Sequence, residues 1–193
     1  MIDLLRRGFE EQISADEIAD GLRYHAADVA GEDVDELAGL LESYLRAVPD
    51  ALGAALGMSK DPHFGRAIAF ATGTILTYIF DEEDLLPEAT YGVVGLLDDA
   101  YLVHEFVGSL SRMYPLAASE YAAPNARTSE IVAAVLPEGV AESLRRTCES
   151  TIQVAQALFP SGQGADSAGV SVEPKLRVAE AVAATTSEPM PSA

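Results

Sequence analysis

Residues 96–113 read LLDDAYLVHEFVGSLSRM, and the spacing of their apolar side chains decides the fold class. The apolar positions recur four and three residues apart, which is the repeat of one face of an α-helix. These positions are Leu96, Ala100, Val103, Val107, Leu110 and Tyr114. A helix with such a face must bury it against other elements, so the stretch predicts packed helices.

Helical periodicity continues on both sides of this stretch, and no segment alternates as a β-strand would. Ser14-Ala15-Asp16-Glu17 has the form of a capping box and predicts a helix from Ala15 to about Gly31. Pro49 is expected to interrupt the following helix, and Asp61-Pro62 to cap and open the next one. The predicted fold class is all-α, a compact multi-helix bundle with helices near 4–13, 15–31, 32–48, 50–56, 62–80, 96–113, 128–136 and 137–159.

Composition divides the chain into two parts. Residues 1–159 carry the helical patterns and predict one domain. Residues 160–193 are rich in Ala, Ser, Pro and Gly and contain few large apolar side chains, so they predict a flexible tail.

The charge balance restricts the classes of partner. The 193 residues include 31 acidic and 12 basic side chains, a formal net charge of -19. Such a chain is poorly suited to nucleic acid or to an anionic bilayer, both of which require basic residues. Its single cysteine, Cys148, allows no intramolecular disulfide and fits a reducing compartment, so we expect a cytoplasmic protein.

A second stretch, YIFDEEDLLPEATYGVVGLLDDAYLV from Tyr78 to Val103, resembles the YkvA-like domain of unknown function. Glu82 and Glu88 stand where that family has proline and aspartate. The resemblance covers about residues 45–107 and implies a helical fold and no assigned activity. The matching positions of its motif are Tyr78, Asp84, Leu85, Leu86, Pro87, Gly95, Asp98 and Asp99.

This stretch predicts an acidic helix-loop-helix hairpin. Asp98 and Asp99 fall in the first turn of the second helix, where carboxylates meet free amides and the positive end of the helix dipole. Periodicity places Asp98 on a polar edge with Glu105, and Asp99 towards the apolar side with Val103. A carboxylate at the latter position must be hydrogen-bonded or paired.

The loop of the hairpin has the chemistry of a turn. Asp84 is expected to cap it, Leu85 and Leu86 to insert into the core, and Pro87 to start the next short element.

Three interpretations of the acidic hairpin remain open. In the first, Asp84, Asp98 and Asp99 fasten the loop to the helix ends by capping hydrogen bonds. In the second, a divalent cation binds Asp84, Glu88, Asp98 and Asp99, with Glu82 or Glu83 as further ligands, although no EF-hand loop is present. In the third, the carboxylates serve as catalytic acid and base.

Other reactive side chains form no motif. His25, His63 and His104 are scattered and lack zinc-site spacing, and we expect His104 to be a half-exposed surface residue. Cys148 lies on an apolar stripe of its helix, so we expect an inert thiol in the core. Arg145 and Arg146, which precede it, could instead lower its pKa.

The absence of a catalytic motif favours a helical accessory or interaction protein without turnover, which binds a protein partner or a second copy of itself and needs no cofactor. The first alternative is a cation-binding regulator or metal-dependent enzyme that uses the acidic hairpin. The second is peripheral membrane association through residues 67–97 or the N-terminal helix, although the net charge makes membrane binding unfavourable.

Overall fold

The computed structural model describes residues 13–25, 33–80, 85–86, 88–113 and 126–160, and every regular element among them is helical. This confirms the all-α fold class. The chain divides into two units, 1–161 and 162–193, and all described residues belong to the first. The predicted helix near 4–13, apart from Ile13, and the predicted tail after Pro160 lie outside the described residues. The helices are α1 (Ala15–His25), α2 (Val34–Arg46), α3 (Val48–Met58), α4 (Gly65–Ile79), α5 (Glu88–Tyr91), α6 (Leu96–Met113), α7 (126–135) and α8 (Val140–Leu158).

Helix α6 is the centre of the bundle. It packs against α2, α3, α4 and α8, and α8 also packs along α4. Residues 97–104 of α6 are buried without interruption, so this half of the helix has no solvent-facing side. Among the other contacts, α1 packs on α2 and α3 packs on α4.

The Ser14 half of the capping box is present at the start of α1, and Glu17 reaches back to the Ser14 hydroxyl. The Glu17 amide donates to Ser14 Oγ at 3.3 Å, and the Ser14 hydroxyl donates to Glu17 Oε2 at 3.0 Å. The prediction that Ala15 begins a helix is therefore confirmed.

Three predicted helix boundaries need correction. Pro49 does not interrupt a helix but lies in the first turn of α3, where its missing N–H is no loss, and α3 runs from Val48 to Met58.

Asp61 caps a turn rather than α4 itself. Its Oδ1 accepts hydrogen bonds from the amides of Phe64 and His63 at 2.9 and 2.8 Å, which lower its pKa, and α4 starts only at Gly65. Helix α8 starts at Val140 because Gly139 has a φ of 83°.

The threonines of α4 explain how polar residues fit in a largely apolar helix. The hydroxyls of Thr72, Thr74 and Thr77 each donate to the carbonyl four residues earlier, at 2.7, 3.2 and 3.0 Å. Their hydrogen-bonding needs are thus met within α4. Neither α4 nor any other helix in the described ranges combines the length and apolarity needed to cross a bilayer.

The connection between α4 and α6 is partly helical. The short helix α5 leads into a 3₁₀ segment, Gly92–Gly95, which runs directly into α6. This 3₁₀ segment packs against α1, where a Cβ at Gly21 would lie 2.5 Å from Val94 Cγ2. The hairpin is therefore held against the rest of the bundle along its second half.

Gly65 allows the chain to turn closely from α3 into α4. A Cβ at this buried position would collide with the carbonyl oxygen of Ser59, which is backbone and cannot move aside easily. We expect Gly65→Ala to lower the free energy of unfolding by about 1–3 kcal/mol, the usual range for overpacking. Urea denaturation of the purified variant measures this change.

Gly73 provides the matched control on the same helix. It is exposed, and a Cβ there would meet nothing within 4 Å. Gly73→Ala should therefore raise the free energy of unfolding by roughly 0.4–1 kcal/mol, because alanine restricts the unfolded chain. Equal effects of the two substitutions would contradict the close approach at Gly65.

Candidate functional site

The described residues of the YkvA-like motif differ in how far their side chains are exposed to solvent. Leu86 is buried, as expected, but Leu85 is 43% exposed, so the prediction that both leucines enter the core is wrong for Leu85. Gly95 is buried at the end of the 3₁₀ segment. Asp84 and Pro87 lie outside the described residues, as does the side chain of Glu88.

Asp98 links the two helices of the hairpin. Its side chain is fully buried in the first turn of α6. Its Oδ2 accepts a hydrogen bond from the hydroxyl of Tyr78, in the last turn of α4, at 3.3 Å. Its Oδ1 accepts one from the amide of Asp99 at 3.0 Å. The carboxylate thus joins the end of α4 to the start of α6, which is what the structural interpretation of the hairpin requires.

The position of Asp98 differs from the prediction. Periodicity placed it on a polar edge, but its exposed fraction is 0%, below the 2% of Asp99. The reason is that the first half of α6 is surrounded on all sides, so no edge of this turn reaches solvent. Asp99 is buried as predicted, and both residues take part in further hydrogen bonds or electrostatic interactions.

The cation-binding interpretation gains no geometric support from the described residues. Within them, no group of three or more histidine, cysteine or carboxylate side chains is placed to hold a metal ion. Of the four candidate ligands, only the side chains of Asp98 and Asp99 are described. Two adjacent carboxylates fall short of the six to eight oxygen ligands that Ca²⁺ takes.

His104 is a core residue, and the expectation that it lies half-exposed on the surface is wrong. It is 5% exposed, and its Nε2 lies 3.0 Å from the carbonyl oxygen of Tyr44 in α2. Its ring lies against the Tyr44 ring, with centroids 3.9 Å apart and an interplanar angle of 37°. Burial lowers the pKa of His104 to about 4, against a smaller opposing effect of the bond to Tyr44. The imidazole is therefore neutral at pH 7.

The hydroxyl of Tyr44 makes a further polar contact, which reaches α7. Its hydroxyl lies 2.9 Å from Ser129 Oγ, and both residues are buried. His104, Tyr44 and Ser129 therefore connect α6, α2 and α7 through the core. No local sequence pattern predicts this connection, since 60 positions separate Tyr44 from His104 and 85 separate Tyr44 from Ser129.

A second polar contact between residues far apart in the sequence joins α6 to α8. Arg145 donates to the hydroxyl of the buried Tyr101 at 3.0 Å and pairs with Glu142 at 2.8 Å. Burial, followed by the charge of Glu105, raises the pKa of Tyr101, and Tyr101 in turn raises the pKa of Arg145. The contact therefore joins a protonated phenol to a charged guanidinium at neutral pH, which suits a packing contact.

Cys148 is confirmed as a core thiol. It is 1% exposed, and its Sγ lies 3.9 Å from Ser109 Oγ. Burial raises its pKa from 9.0 to about 12, and the hydrogen bond to Ser109 opposes this only in part. The neighbouring arginines do not activate it, because Arg145 and Arg146 both pair with Glu142 and Arg145 also donates to Tyr101.

The raised pKa leads to a direct prediction of low reactivity. Three pH units correspond to an about thousandfold smaller thiolate fraction at pH 8, and burial restricts access further. We expect Cys148 to react with a disulfide reagent such as DTNB only after unfolding in urea. A suitable control is Cys148→Ala combined with Ser150→Cys, which moves the thiol to an exposed position on the same helix. A native Cys148 that reacts as fast as this control would show that the thiol is accessible.

Comparison of the chain with protein-family models, curated proteins and solved structures finds no match. The chemistry of the site therefore rests on its own geometry. Each of three reactive side chains, those of Asp98, His104 and Cys148, contacts another residue of the helical bundle. Burial suppresses the reactivity of the imidazole and the thiol.

Proposed function

We propose that this protein is a helical accessory or interaction protein that acts by binding a partner and catalyses no reaction. One observation carries the proposal: the three reactive side chains buried along α6 and α8, those of Asp98, His104 and Cys148, are used in contacts between helices. Asp98 bonds to Tyr78, His104 to the Tyr44 carbonyl, and Cys148 lies in the core with a raised pKa. The single cysteine also favours a cytoplasmic location.

Exposed carboxylates on α1, α2 and the residue before α2 indicate the class of partner. This surface, the acidic face, is formed by the exposed residues Asp33, Asp35 and Glu36 at the start of α2 and by Asp20 of α1, which Arg23 joins to Asp35. Arg23 bridges Asp20 and Asp35 at 2.9 and 2.7 Å, so only part of the charge is compensated there. Such a surface favours a partner with basic residues, because opposite charges accelerate encounter.

The YkvA-like relationship is part of the same proposal. The hydrogen bond between Tyr78 and Asp98 supports it, since it joins two residues of the motif that lie 20 positions apart. The burial of Leu86 and Gly95 at the same connection agrees with a structural use of the motif. Substitution of these residues should then affect stability more than any activity.

Native mass spectrometry of the protein purified from its own cells tests the proposal, because it reports bound partner, stoichiometry and metal together. We expect a protein complex or a homo-oligomer and no stoichiometric metal. Incubation with broad hydrolase and oxidoreductase substrates should give no turnover that Asp98→Asn or Asp99→Asn removes. Such an activity would disprove the proposal.

The acidic face can be tested once the partner is isolated. Asp33→Asn with Glu36→Gln removes two exposed charges from it, and Glu138→Gln with Glu149→Gln removes two exposed charges elsewhere. We expect only the first pair to slow association with the partner several-fold, with a weaker salt dependence than in the wild type. Stopped-flow or surface-plasmon measurements determine the association rates. Equal rates for the two variants would exclude the acidic face.

The cation-binding alternative predicts a different result. A divalent ion that binds the folded hairpin stabilises it by about 2.7 kcal/mol at a hundred times its dissociation constant. Thermal denaturation with Mg²⁺, Mn²⁺ or Ca²⁺, each compared with EDTA, measures this effect. Under our proposal the melting temperature is the same in all four solutions, and an increase abolished by Asp98→Asn would support the alternative.

A further inference from the structure

We draw no further inference here: the strongest candidate, the exposed apolar side chains of Phe80 and Leu85 at the connection between α4 and α5, carries nothing because the structure does not show what covers them.

Discussion

Replacing Asp98 with alanine is expected to lower the free energy of unfolding by about 3–4 kcal/mol, because it removes a buried acceptor that two donors of the hairpin share. These donors are the Tyr78 hydroxyl and the Asp99 amide, at 3.3 and 3.0 Å from the carboxylate. The substitution also opens a cavity at a fully buried position. Urea denaturation followed by circular dichroism measures the change.

A double-mutant cycle isolates the link between α4 and α6. Tyr78→Phe removes one donor and should cost about 1 kcal/mol. In the Asp98→Ala background the same change should cost much less, because its acceptor is already gone. Additive effects would show that the two side chains do not interact, and that Asp98 stabilises the hairpin in another way.

Glu149→Ala is the control for the general loss of a carboxylate. Glu149 is exposed on α8, so its removal should change stability by no more than about 0.5 kcal/mol. If Asp98→Ala costs as little, the structural interpretation of the acidic hairpin is wrong.

His104 should make the folded state sensitive to mild acid. Its pKa is about 4 when folded and about 6.5 when unfolded, so the unfolded chain binds more protons between these values. The contribution of the neutral His104 side chain to the free energy of unfolding is therefore complete above pH 6.5 and is lost as the pH falls towards 4. The loss amounts to about 3 kcal/mol, from about 1.4 kcal/mol per pH unit.

Comparison with His104→Gln separates this effect from the titration of the many carboxylates. Glutamine can still donate to the Tyr44 carbonyl but does not titrate. Between pH 7.5 and pH 4, we expect the free energy of unfolding of the wild type to fall by about 3 kcal/mol more than that of the variant. Urea denaturation at several pH values gives both curves. Parallel curves would mean that the imidazole is solvated in the folded protein.

The helices were predictable because their signals are local. The capping box at Ser14 and the apolar repeat from Leu96 each lie within a few turns of one helix, and both predictions agree with the structure. The burial of Cys148 agrees with its prediction as a core thiol, since the apolar side of α8 that carries it packs against α6. Boundaries were less accurate where proline or glycine could either begin or end a helix, as at Pro49 and Gly139.

The errors at Asp98 and His104 have one physical cause. Periodicity compares the faces of a single helix, and it correctly separates the more polar side of α6 from the less polar one. It does not reveal how many neighbours the helix has. Because α6 is surrounded by α2, α3, α4 and α8, its polar side is buried as well, and polar residues there must bond within the core.

The position of α8 has a consequence for biosynthesis. This helix packs on both α4 and α6, yet residues 140–158 leave the ribosome long after those two helices. Until then the growing chain exposes the apolar strip that later receives Leu144, Cys148 and Ile152, while α1 and α2 can already pair. Chaperone contact should therefore concentrate on nascent chains that have completed α6 but not α8, a stage that ribosome profiling of chaperone-bound chains can resolve.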